Sequence, residues 1–269
     1  MANSTILSSK FSSPLPGLGI EPAWESLVVS YPPQTIEFFG TILVQLLAFW
    51  LPCLLFQALD TLFPIFSHRH KIQPIPKQPT AAELRYCLQI VLRNQLFSTI
   101  LHLLLLTSQH YLHHKPSSNL ITPSLPSLAS LLWQLPACIL LRELLFYHSH
   151  LLLHHPRLYA PIHKFHHRFV APVALAAQFA HPAEHLFANI LPVSLPPQIL
   201  GAHVLTNWLF LAFVLVETTA VHSGYDFAGG MARMHDLHHE RFMGNYGTVG
   251  VLDWVYGTYR RRGEKVAVE

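Results

Sequence analysis

Five stretches of this chain are almost wholly apolar, and polar, proline-containing stretches separate them. The apolar runs cover 38–59, 88–106, 128–153, 186–200 and 204–221. About twenty apolar residues in helical form cross the hydrocarbon core of a bilayer, and a helix satisfies every backbone donor and acceptor there. The pattern therefore predicts an all-α, polytopic membrane domain of four to five apolar segments. Pro192, Pro196 and Pro197 interrupt the fourth run, because proline lacks the donor that an inner helical position needs. That run and the next are expected either as two full spans or as a shallow re-entrant pair. Residues 1–35 read as a polar, poorly structured leader, and no cleavable signal peptide is expected in it.

Composition agrees with a membrane location. The chain is 51% hydrophobic and 12% charged, with a mean hydropathy of +0.33, where soluble domains carry about 25% charged residues. The net charge of +3 is small and scattered, which argues against a nucleic-acid partner. Cys53, Cys87 and Cys138 lie in or beside apolar runs without metal or redox spacing, so no disulfide framework is implied. Arg93, Asn94, Arg142 and Glu143 fall inside apolar runs. Such residues are costly in lipid and are expected to face the protein interior or a functional cavity.

Of the seventeen lysines and arginines, four lie in 60–87, three in 154–185 and six after 221. With five spans these three regions share one face, and the positive-inside bias makes that face cytosolic. The same face then carries three histidine clusters: HLLLH at 150–154, HKFHH at 163–167 and HDLHH at 235–239. His150 and His154 are four apart. His163, His166 and His167 follow an i, i+3, i+4 pattern that His235, His238 and His239 repeat. Residues at these spacings project from one helix face, so each cluster is expected to aim its imidazoles at one point. Neutral imidazole is the commonest protein metal ligand. Eight exceed what one ion holds, which points to two nearby ions.

The string HSHLLLHHPRLYAPIHKFHHRFVAPVALAAQFAHPAEH, then VHSGYDF, then RMHDLHHERFMGNYGTVGVLDWVYGT, resembles the fatty acid hydroxylase superfamily, most of all its sterol desaturase and C-4 methylsterol oxidase branch. The resemblance covers about 130–260. It implies an integral membrane enzyme of the endoplasmic reticulum with a di-iron centre facing the cytosol. Such an enzyme uses dioxygen and electrons from NAD(P)H, delivered by cytochrome b5 and its reductase, to hydroxylate, desaturate or demethylate an apolar lipid such as a sterol or terpenoid. It assigns metal-ligand roles to His150, His154, His163, His166, His167, His235, His238 and His239, and places His222 of HSGY at or near the metals. His181 is implied as a ligand or a partner of one. Glu143, Glu184 and Asp236 are candidates to receive the second ring N–H of a ligating histidine. Leu151 stands where the family commonly has Arg, Glu143 where Asp is usual, and His148 where Trp is frequent. On this reading 36–127 holds N-terminal membrane helices and connectors, 128–262 the catalytic domain and 263–269 a tail.

Two other classes compete. HPAEH at 181–185 matches the H-x-x-E-H pattern of a zinc protease, although Pro182 suits a helix start better than a helix interior. A metal store or transporter would spread its ligands at mid-membrane depth, whereas these histidines gather on one side. The chain has no glycine fingerprint for a nucleotide and no haem-binding module of the cytochrome b5 kind. An oxidase of this sequence must therefore take electrons from a partner, with hydroxylation as the elementary step from which desaturation and demethylation diverge.

Overall fold

The computed structural model describes residues 19–114, 117–227 and 229–263; the first eighteen residues of the leader and most of the predicted tail lie outside them. The architecture is all-α. Helix α1 spans Glu21–Ser30, α2 Pro33–Leu62, α3 Ala81–His113 and α4 Leu128–Leu153. A fifth helical segment, α5, covers 182–199; α6 spans Val204–His222, α7 Met231–Arg241 and α8 Val251–Val255. Among the described residues, α2, α3, α4 and α6 are long and apolar enough to cross a membrane. Their outward leucines, such as Leu54, Leu96, Leu104 and Leu140, are exposed, while Asn94, Arg142, Glu143 and Glu217 are buried. This arrangement of apolar outside and polar inside suits a bundle whose solvent is lipid.

Local chemistry explains the ends and the irregularities. Thr80 and Glu83 form a capping box that starts α3 seven residues before its apolar run. Ser127 caps α4 by accepting from the Ser130 N–H at 3.1 Å. Among the described residues two π-helical turns occur, Leu46–Trp50 in α2 and His185–Ile190 in α5. Each lies just ahead of a proline, Pro52 and Pro192. That proline cannot donate to the carbonyl four residues back, and the wider turn accommodates the break.

The fourth apolar run folds as a helical segment packed beside α4. At one end of α5, Glu184 lies 2.8 Å from His163. Just beyond the other end, the Leu200 carbonyl accepts from Gln134 near the start of α4, and the Ala202 carbonyl accepts from the Leu120 N–H. The segment therefore runs antiparallel to α4 through the depth of the bundle. Part of the leader is also ordered. Trp24 anchors α1 by donating its indole N–H to the Thr122 carbonyl at 2.9 Å and packing edge-on against His203 and Trp208. Those partners are distant in sequence, so a local reading of 1–35 has no signal for the helix.

The contact of α2 with α6 depends on a glycine. A Cβ on Gly40 would fall 2.0 Å from the Trp208 ring, whose N–H donates to Thr41 Oγ1 at 3.1 Å. Gly40→Ala is expected to cost about 1–3 kcal/mol by overpacking. Thermal unfolding in detergent should show a lowered midpoint; an unchanged midpoint would contradict this packing.

Candidate metal centre

Nine histidines converge where the inner ends of α4 and α6 meet the cap formed by 154–181 and 223–263. His150 lies in the last turn of α4 and His154 caps it. His163, His166 and His167 lie on a 3-10 helix, His163–Arg168. His222 ends α6, and His235, His238 and His239 lie on α7. They form two groups: His150, His154, His163, His167 and His238, then His166, His222, His235 and His239. Within each group the candidate ligand nitrogens lie within 4.8 Å of one another. The groups adjoin, with the His167 and His239 ring centroids 4.9 Å apart.

This partition corrects one expectation. Neither H-x-x-H-H cluster aims at a single point. The i and i+4 members stay together, as His163 with His167 and His235 with His239, and the i+3 member joins the other group. On α7 the reason is helical geometry: successive residues diverge by about 100° about the axis, so an adjacent pair straddles two directions. Around His163 the local helix is 3-10 and not α, yet the same division holds.

Backbone carbonyls fix the ring tautomers. The Nδ1 atoms of His150, His238, His166, His239 and His222 sit 2.7–3.1 Å from the carbonyls of Tyr246, Gly244, Phe179, Phe169 and Thr218 respectively. A carbonyl only accepts, so each Nδ1 carries the proton. His163 donates its Nδ1–H to Glu184 at 2.8 Å. In these neutral rings Nε2 is a bare lone pair, and the lone pairs face one another. In the first group His163 Nε2 is 3.1 Å from that of His150 and 3.0 Å from those of His154 and His167. In the second, His235 Nε2 is 2.9 Å from that of His222 and 3.1 Å from that of His239.

Converging lone pairs repel unless a cation lies among them. Protonation is opposed, because burial pushes the His235, His238 and His239 imidazoles well below their ordinary range and His166 down to about 4. Spacings near 3 Å suit adjacent ligands around a metal about 2.1 Å from each nitrogen. The residues thus fit two metal ions, held as neutral imidazole ligands.

Comparison with known proteins fixes the lineage. The fatty acid hydroxylase family model matches residues 135–258. The chain is 35% identical over 240 residues to human fatty acid hydroxylase domain-containing protein 2, covering 87% of this chain and 71% of that protein. It is 32% identical to methylsterol monooxygenase 1 of Danio rerio, covering 84% and 78%. It is also 32% identical to very-long-chain aldehyde decarbonylase GL1-8 of Oryza sativa subsp. indica, covering 89% and 91%. The chain belongs to the fatty acid hydroxylase/sterol desaturase superfamily. No solved structure matches it. It is a multi-pass membrane oxidoreductase of that family, with paired histidine groups suited to a di-metal active site.

The remaining residues singled out in the sequence serve this family centre at different distances. Glu184 contacts His163 directly. Among the described residues Glu143 hydrogen-bonds no histidine: it accepts from Thr248 N and Oγ1 at 2.7 Å and from Val249 N at 3.0 Å. Asp253 accepts from Tyr246 N and Gly247 N at 2.7 Å. Together they stiffen the loop that carries the Tyr246 carbonyl to His150. Asp236 accepts from Gln73 and pairs with Arg262. His181 stands outside both groups and caps α5 by accepting from the Ala183 N–H. His185 faces Ser98 at 2.8 Å, so HPAEH does not bring its two histidines to one metal.

Sequence reasoning missed the carbonyl partners, which are backbone, and a partly open cavity of about 230 Å3 within the bundle. Phe146, Gln178 and Thr218 line this cavity. The Phe146 ring is 5.1 Å from that of His150, Gln178 precedes the Phe179 carbonyl that holds His166, and the Thr218 carbonyl holds His222. The cavity therefore abuts the metal centre. An outer groove between α2 and α3, lined by Ile42, Leu46, Trp50, Leu92 and Leu96, shares Gln45 and Gln95 with it.

Proposed function

We propose that the protein is a membrane-bound di-iron oxygenase that hydroxylates an apolar lipid such as a sterol or terpenoid. The observation that carries this reading is the meeting of two lone-pair cages with a cavity inside a lipid-facing bundle. The nine histidines would hold two iron ions, which supply the dioxygen activation that side chains lack. The chain's own residues then do the rest. Backbone carbonyls and Glu184 keep the Nε2 atoms turned inward, and the bundle excludes water from the reacting carbon. The groove that shares Gln45 and Gln95 with the cavity supports entry of the lipid sideways from the bilayer.

The names of the relatives support lipid oxidation without choosing the reaction; desaturation or oxidative demethylation would use the same centre. Each monooxygenation consumes two external electrons, and we assign their delivery to cytochrome b5 and its reductase, drawing on NAD(P)H. The family resemblance supports an endoplasmic-reticulum membrane, and the distribution of lysine and arginine supports a cytosolic side for the metals.

The test is a reconstituted assay with NAD(P)H, reductase, cytochrome b5 and oxygen-18 gas. Label is expected in a hydroxylated lipid, with no product under argon. Product formed equally without dioxygen, or metal flux into vesicles without lipid oxidation, would sink the reading.

A further inference from the structure

The cavity beside the metal centre has a more polar wall than a hydrocarbon ligand needs. Arg142, Asn189, Ser194, Gln198 and Asn207 line it together with Phe146 and Val214. Some of its polar groups satisfy one another; Asn189 and His185, for example, are 3.2 Å apart. Arg142 differs. It is 5% exposed, and its Nη2 donates to Glu217 at 2.8 Å, but its Nη1 is buried without a hydrogen-bond partner. A guanidinium stays charged and offers five donors in a rigid fork, and an unpaired buried donor is costly. Arg142 stands eight residues before His150 on α4, about 12 Å along the helix axis.

We propose that Arg142 determines the specificity of this cavity: its Nη1 donates a hydrogen bond to a neutral oxygen, a hydroxyl or carbonyl, of an amphiphilic lipid whose hydrocarbon lies past Phe146 toward the metals. The proposal rests on the lipid-oxidase reading and names its substrate class. The group must accept, because Nη1 only donates. It is not a cation, which Arg142 would repel. It is not a carboxylate, because Glu217 already balances the guanidinium and a second anion beside it would be uncompensated. A plain hydrocarbon would leave Nη1 unpaired, and sites built to bond a ligand oxygen reject analogues that lack it.

The test compares lipid pairs that differ by one hydroxyl: 1-octadecanol with octadecane, and cholesterol with 5-cholestene. Binding is measured on the metal-loaded protein in nanodiscs by native mass spectrometry. Wild type should hold the alcohol of at least one pair about tenfold more tightly or better. In the double variant Arg142→Met/Glu217→Leu, which removes the buried pair without stranding either charge, that preference should fall below about twofold with hydrocarbon binding retained. Retained metal content verifies that the variant is folded. A further measurement needs no variant: 1-octadecanol with a diazirine beside the hydroxyl should label peptides containing Phe146 or Val214. Equal binding within both pairs by wild type, an undiminished preference in the variant, or labelling confined to other peptides would each overturn the proposal. These assays use neither dioxygen nor electrons, so they fail separately from the oxidation reading.

Discussion

His238→Ala is expected to lower the bound metal from two ions per chain toward one and to reduce lipid oxidation by at least about a hundredfold. Second-neighbour partners of a ligating histidine are already worth 10–100-fold in affinity or activity, and a ligand itself acts on the metal directly. His238 is fully buried, lies 3.2 Å from His154 in the first group and is oriented by the Gly244 carbonyl. Its removal leaves that group with four imidazoles. His166→Ala should strike the second group in the same way and leave it with three. His148→Ala is the control: this histidine is exposed and bonds the Leu144 carbonyl of its own helix, so metal content and turnover should change less than about twofold. Metal analysis of the purified proteins decides the matter. Two ions retained by both His166→Ala and His238→Ala would refute the two-group assignment.

The second large effect is expected at Glu184, in a graded form. Among the described residues, His163 is the one ligand candidate whose far nitrogen donates to a carboxylate. In Glu184→Ala, His163 loses the acceptor that fixes its tautomer and orientation, and metal affinity should fall 10–100-fold. Glu184→Gln keeps an acceptor oxygen but not the charge, and should fall between the alanine variant and wild type. Competition with a graded chelator series measures both. Equal affinity of the alanine and wild-type proteins would show that the carboxylate does not position the ring. Peptide hydrolysis by wild type that vanishes in Glu184→Ala would instead favour the protease reading.

The spans and the ligand candidates were legible because their signals are local. Apolar runs mark α2, α3, α4 and α6 to within several residues, and histidine spacing marked eight of the nine convergent imidazoles. His222 needed the family resemblance, since a single histidine in HSGY has no periodicity. What could not be read from the sequence depends on long-range contact. The division of each H-x-x-H-H between two groups depends on which way α7 and the 3-10 turn at 163–168 face. Glu143 looked like a partner of a ligand, yet it acts on the loop at 248–252, more than a hundred residues away in sequence. The helical course of 182–199 was obscured by its prolines, which are accommodated by the π turn ahead of Pro192 and by the burial of Pro192, Pro196 and Pro197.

The carbonyl partners of the histidines have a consequence for how such a centre can diverge. A side-chain partner can be exchanged by one codon, and ligand basicity shifts with it. A backbone carbonyl is present whatever residue bears it, so five of the imidazoles are held by groups that point substitution does not remove. Change must instead work through backbone shape, and that route is narrow at Gly244. Its φ of 72° lies in the left-handed region, and an added Cβ would meet Arg260 and the Thr258 carbonyl at 2.7 and 2.8 Å. Drift is therefore expected to spare the ligand geometry and accumulate in the cavity wall, where new chemistry can be selected without rebuilding the metal cage.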